Sequence, residues 1–253
     1  KTEASKLVLI YLMEMSRRAQ DDSSSPKAAD SVESLEEQTV CAQLILEAFG
    51  NAKTRCNDNA SRFSKWVEVS FTDGQITGAW IRTYLLERSR VVHLAPGDSN
   101  FHIFYQLLAA AHSDPSLRER FQLGPAQGFR YLSGQPKEAK TKGASTKGAK
   151  TKGANTKGAK TKTGEGPVRE DHGPDSDEFE RLLEAFDLFR FTDAELDDTW
   201  RLLAAVLHLG NIQVHKQKGK KGCAVCNPEV MRLVADMLGL EAAQLERYLL
   251  FIP

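Results

Sequence analysis

"RCNDNASRFSKW", residues 55–66, gathers Asn57, Asp58, Asn59 and Ser61 with the cations Arg55, Arg62 and Lys65 around little apolar bulk. Asn57, Asn59 and Ser61 are short donors and acceptors of the kind that line a phosphate. Arg62 is a permanent planar cation suited to a bidentate carboxylate partner. The same residues suit a solvated Asn/Asp turn with a surface arginine. Spacing alone leaves the two readings level.

The flanks supply the local fold. In "WVEVSF" (66–71) Val67, Val69 and Phe71 alternate with Glu68 and Ser70, the period of a half-buried strand. Asp73-Gly74 offers a tight turn before "ITGAWIRTYLLE" (76–87). A strand, turn, strand unit is expected from Trp66 to Val92. Upstream, Leu7, Val8, Ile10, Tyr11, Leu12 and Met15 follow helical spacing and predict a helix from Thr2 to Arg18, with Glu3 at its positive end. Gln20–Ser31 has no periodicity and is expected to be a loop. Ser34 with Glu37 has capping-box spacing for a second helix that Gly50 would stop.

Downstream, "NFHIFYQLLAAA" and "DPSLRERFQL" predict helices, the latter with Pro115 in its first turn. Residues 177–191, 192–210 and 227–252 predict more, with Thr192 and Glu195 as a second capping box and Gly210 as a stop. His102 and His208 lie in helical segments and read as packing or surface residues. Between them, residues 134–175 are dominated by a Thr-Lys-Gly-Ala-X repeat without aromatic or β-branched apolar residues, which predicts disorder.

The 253 residues are 41% hydrophobic, enough for one large or two small domains. The longest apolar run, Leu7 to Met13, is too short to span a bilayer, and no signal peptide is evident. The chain opens on Lys1 without a methionine, so preceding residues are expected. Cys41, Cys56, Cys223 and Cys226 are too few for a disulfide framework and favour a reducing compartment. Cys223 and Cys226 have half of a zinc spacing but read better as two free loop thiols. Net charge is zero, yet residues 137–162 hold nine lysines against Glu138, so about +8 there is balanced by about −8 elsewhere.

One further pattern concerns the first two residues. In Gly-x-x-x-x-Gly-Lys-Ser/Thr the lysine neutralises terminal phosphate charge and the hydroxyl holds Mg²⁺. Lys1 and Thr2 have the identity of its last two positions, although a lysine before a helix is commonplace.

Four blocks then point one way. "LILEAFGNAKTRCNDNASRFSKW", "IRTYLLERSRVV", "NFHIFYQLLAA" and "LLAAVLHLGNI" occur in an order that resembles the motor domain of a myosin. The resemblance runs from Lys1 to about Ile212 and more weakly to the end, broken by the lysine repeat. Kinesins share an Asn-x-x-Ser-Ser-Arg element but lack "LEAFGNAKT" and "HIFYQL", which leaves a microtubule motor a distant third reading.

The resemblance implies an α/β fold, part of a phosphate-loop NTPase with part of a mixed central sheet and a large helical upper subdomain. It divides the chain into a nucleotide-binding and switch I portion (1–133), the lysine-rich insertion (134–175) and a helical part of the upper subdomain (176–253). It makes "NDNASRF" switch I and ATP with Mg²⁺ the cofactors. Lys1 would lie on the β and γ phosphates, and Thr2 and Ser61 on Mg²⁺. Asn57 would contact phosphate, with Asn59 in the same nucleotide-lining set. Arg62 would pair with a switch II glutamate. Ala60 departs from a family serine thought to assist proton transfer, and Ser64 departs from a family glycine.

The implied partner is an actin filament, with light chains or calmodulin held by a lever outside this sequence, in the cytoplasmic cytoskeleton. No nucleic-acid partner is expected. Gln20–Ser31 matches a variable surface loop near the nucleotide entrance, or else is a spacer. The lysine repeat reads as a tolerated insertion before a contact for acidic surfaces. The 253 residues alone are expected not to hydrolyse ATP. The rival reading is a non-motile actin tether with weak or absent ATPase, motivated by Ala60 and the insertion.

Overall fold

The computed structural model describes residues 2–21, 29–133, 173–216 and 222–250. Most of the lysine repeat and most of the expected 20–31 loop lie outside them.

Helix α1 spans Thr2–Asp21 and α2 spans Ala29–Gly50. Because α2 starts at Ala29, Ser34 lies inside it and is not its cap. The Lys6 ammonium meets the Glu47 carboxylate at 2.9 Å across the two helices.

Gly50 ends α2 for a reason other than a left-handed cap. A Cβ there would sit 2.3 Å from Phe63 Cδ1, so glycine is what lets the ring close on the helix end. The cap conformation appears instead at Gly239, with φ +65°.

β1 (Asn51–Ala52) pairs antiparallel with β2 (Ala60–Ser61), and Ala52 also bridges to Phe101. β3 (Ser64–Thr72) and β4 (Gln75–Tyr84) form the expected hairpin. Asp73 and Gly74 both have positive φ, as a twist-compatible two-residue turn requires. The buried Ser16 hydroxyl accepts from the Ile76 amide at 2.8 Å and fastens the hairpin to α1.

The second strand stops at Tyr84, short of the expected Val92. Leu85 turns into the left-handed region and Ser89–Val92 makes one helical turn, α3. Arg90, almost fully buried, causes that turn to hold. It donates to Glu87 at 2.8 Å, to the Ser99 carbonyl at 3.0 Å and to Asp98 at 3.1 Å. A continuing strand would break this set.

The remaining elements are α4 (His102–Ser113), α5 (Pro115–Phe121), a 3-10 turn at Ala126–Gly128, α6 (Arg130–Ser133), α7 (Gly173–Leu188), α8 (Asp193–Asn211), β5 (Val214–Lys216), β6 (Cys223–Val225), α9 (Pro228–Leu238) and α10 (Ala242–Leu250). The chain mixes helix and strand as expected. The strands of the described residues form three separate antiparallel pairs.

Apolar burial explains the helical packing. Leu107 of α4, Leu182 of α7 and Leu207 of α8 are essentially inaccessible and belong to one cluster with Ala48 and Phe101. Each such side chain contributes about 1.5–3 kcal/mol by transfer from water. Phe186 packs edge-on against Phe49, Phe191 and Trp200, joining α2, α7 and α8. Residues on both sides of the repeat therefore share a single core. A smaller cluster, Ile212, Met231, Val234, Ala235 and Leu245, fills the C-terminal end.

Asn211 ties this end back. Its amide donates to the Gly128 carbonyl at 2.8 Å and its side-chain oxygen accepts from the Arg130 amide at 2.9 Å. Gly210 beside it leaves room for the Tyr131 ring, whose Cδ2 a Cβ would approach to 2.7 Å.

Candidate functional site

The polar stretch forms a loop, residues 53–59, pinched shut by the β1–β2 pair and by the Arg62 amide on the Gly50 carbonyl at 2.8 Å. Much of its polarity serves its own backbone. The Thr54 hydroxyl accepts from the Asn57 amide at 3.1 Å, and the Asn57 side-chain oxygen accepts from the Asn59 amide at 2.8 Å. Such turns are what Asn and Thr supply. Lys53 pairs with Asp58, and the Arg55 amide donates to Asp98.

Asn59 is the latch. Its side-chain oxygen accepts from the Asn51 amide group at 2.9 Å and lies 3.2 Å from His102 Nε2, while its own amide group donates to Glu47 at 2.9 Å. Glu47 also accepts from Gln43 at 2.7 Å and pairs with Lys6. Burial alone would raise its pKa, but the hydrogen bonds from Gln43, Lys6 and Asn59 outweigh it and hold the carboxyl below its ordinary value. Lys65 donates to Gln43 at 2.9 Å, and burial lowers its pKa.

Ser61 and Arg62 follow on the same edge. The Ser61 hydroxyl donates to the Phe63 carbonyl at 3.1 Å, and Arg62 Nε donates to the Ser61 carbonyl at 3.0 Å. The Arg62 guanidinium is 3.8 Å from Glu87, each group about a third exposed. A pair this long and wet is worth about 0–1 kcal/mol, so another carboxylate can displace it.

A cavity of about 520 Å³ opens between the first turns of α1 and this edge, lined among others by Ser5, Glu47, Asn51, Ser61 and Lys65. Asn51 is 2% exposed and its side-chain oxygen has no partner in the structure. A buried acceptor without a donor is costly.

The amino-acid sequence matches known proteins over nearly its whole length. The family described as myosin head (motor domain) matches residues 1–252. The chain belongs to the myosin head family. It is 35% identical over 246 residues to Myosin-15 of Arabidopsis thaliana, covering 96% of this chain and 13% of that protein. Its identity to unconventional myosin-XV of Homo sapiens is 33% over 253 residues, covering 99% of this chain and 6% of that protein. With unconventional myosin-VI of Bos taurus it is 34% over 245 residues, covering 95% and 18%. This myosin-head chain thus spans under a fifth of these relatives' lengths.

Of the expected site residues of this myosin head, Asn57, Asn59, Ser61 and Arg62 share one loop and its exit strand. Thr2 opens α1 with its side chain outside the described residues, and Lys1 lies outside them altogether. The residue-by-residue reading singles out neither Glu47 nor Asn51 for this site, and it takes His102 only for a packing or surface residue, whereas its ring meets Asn59. "LEAFGNAKT" contains two of them, but only their convergence on Asn59 shows what they do. His208, by contrast, packs as expected: it is buried, 3.0 Å from the Phe121 carbonyl and edge-on to Phe129. Among the described residues no helix is long and apolar enough to cross a membrane.

Proposed function

We propose that this myosin head chain carries the switch I side of an Mg-ATP site in an actin-based, cytoskeletal motor of the cytoplasm. One observation carries the reading: Ser61 and buried Asn51 line one cavity with Ser5 of α1. These residues fit a hydrated cation and its phosphates. The Ser61 and Thr2 hydroxyls would hold Mg²⁺, which neutralises phosphate charge when bound, and Lys1 would lie on the β and γ phosphates. Asn57 and Asn59 fix the loop that presents Ser61. Arg62 exchanges its weak contact with Glu87 for a carboxylate that reports the γ-phosphate, which suits a reaction governed by positioning and charge.

The tether reading draws on Ala60. Ala60 is buried against Ala52 and alternates with Ser61 along β2, so no hydroxyl accompanies Ser61 at the preceding position.

The test is a chimera in which these 253 residues replace the matching segment of the bovine myosin-VI head. The motor reading expects actin-activated ATP hydrolysis that Ser61→Ala abolishes. Actin co-sedimentation that ATP does not weaken, with no hydrolysis, would establish the tether and remove the motor assignment. Light-chain or calmodulin binding belongs to the same proposal and is read in the complete protein.

A further inference from the structure

Cys223 and Cys226 stand three residues apart, a spacing that suits a closing dithiol. The β5–β6 hairpin separates them. Lys216 is opposite Cys223 and His215 is opposite Ala224, and directly opposed residues share a face while neighbours alternate. Cys223 therefore stands on the Lys216 face. Cys226 stands on the other, with its sulfur 3.0 Å from His215 Nδ1 and its backbone amide donating to the Gln213 carbonyl at 2.8 Å. His215 and both thiols are exposed.

We propose that Cys226 is a site of S-thiolation, its thiol activated by His215 for exchange with a low-molecular-weight disulfide. His215 Nδ1 accepts the thiol proton, and the thiolate attacks one sulfur of the disulfide. One S–S bond forms as one breaks. The leaving thiolate takes up the proton, so a protein thiol and a disulfide become a protein mixed disulfide and a free thiol. Cys223, on the far face, does not reach the adduct to displace it, so the mixed disulfide persists.

The other two cysteines serve as references. Cys41 is partly covered within α2, where burial and the carboxylates of Glu37 and Glu184 raise its pKa and disfavour the thiolate. Cys56 is exposed on the 53–59 loop without a hydrogen-bonded imidazole among the described residues. An adduct on Cys226 would sit where the hairpin joins α8 to α9, since the Gln213 amide donates to the Asn227 side chain and Asn227 donates to the Asn211 carbonyl. The proposal does not depend on nucleotide binding.

The test exposes the intact chain to glutathione disulfide, quenches with acid and maps the adducts by peptide mass. Cys226 should be modified about tenfold faster than Cys56, the advantage an adjacent base gives a thiol. His215→Gln should bring Cys226 down to the Cys56 rate and leave Cys56 unchanged. Cys223→Ser should alter neither the rate nor the lifetime of the Cys226 adduct. In concentrated urea the advantage should vanish. Equal rates at Cys226 and Cys56 in the unmutated folded chain overturn the proposal, as does an advantage that survives urea or the accumulation of a Cys223–Cys226 disulfide.

Discussion

Glu47 accepts a hydrogen bond at 2.9 Å from the side-chain amide of Asn59, twelve residues further along, and so ties the far end of the 53–59 loop to the body of α2. The same carboxylate pairs with Lys6 of α1. Replacing it leaves a lysine and two side-chain amides, those of Gln43 and Asn59, without this acceptor, which costs about 1–3 kcal/mol. Glu47→Ala should lower the urea midpoint accordingly and speed amide exchange in residues 53–59. Unchanged exchange there would mean that the loop holds itself.

The pH dependence has a definite sign. Glu47 titrates below its ordinary 4.5 in the folded chain, so the unfolded chain binds the extra proton as the medium is acidified. Its contribution is complete above 4.5 and is lost as pH falls through the folded value. Glu47→Gln should therefore flatten the stability profile below that point. Urea titrations at stepped acid pH, with and without the substitution, measure it.

Gly50 and Phe63 give a steric prediction. The 2.3 Å approach leaves no room for a methyl group, so Gly50→Ala should destabilise by about 1–3 kcal/mol as an overpacked site. Adding Phe63→Leu should recover part of the loss. A thermal melt of the three proteins separates this clash from a general helix-end effect, which Phe63→Leu would not relieve.

Much of this was legible before the structure, and the division follows range. Thr192 and Glu195 cap α8 reciprocally because the two residues need only each other, and Asp73-Gly74 turns the hairpin because both tolerate positive φ. Thr192→Ala should cost about 0.5–2 kcal/mol, read from the same urea titration. Distance in sequence hides the rest. Arg90 ends the strand pairing early through Asp98 and Ser99, and Asn59 meets His102 across 43 residues. Composition marks such residues only as polar. Ser34 misled because a local cap signal does not report whether the helix continues upstream of it, as it does here to Ala29.

Burial lowers the pKa of His208, so it is neutral in the folded chain at pH values where the unfolded chain is already protonated. Stability should therefore be fully present above its ordinary 6.5 and decline as pH falls below it. His208→Gln should remove that slope. Unfolding measured between neutral and mildly acidic pH decides the matter, and an identical slope in both proteins would place the protonation elsewhere.

The apolar cluster that contains Leu107 and Leu132 also contains Leu182 and Leu207, contributed from opposite sides of residues 134–172. This interdigitation joins the two halves in addition to the covalent connection between Ser133 and Gly173. The polypeptide is thus a natural candidate for fragment complementation. A nick in that interval should leave one folded particle made of two pieces, and pieces made separately should find each other through the faces of α2, α4, α7 and α8.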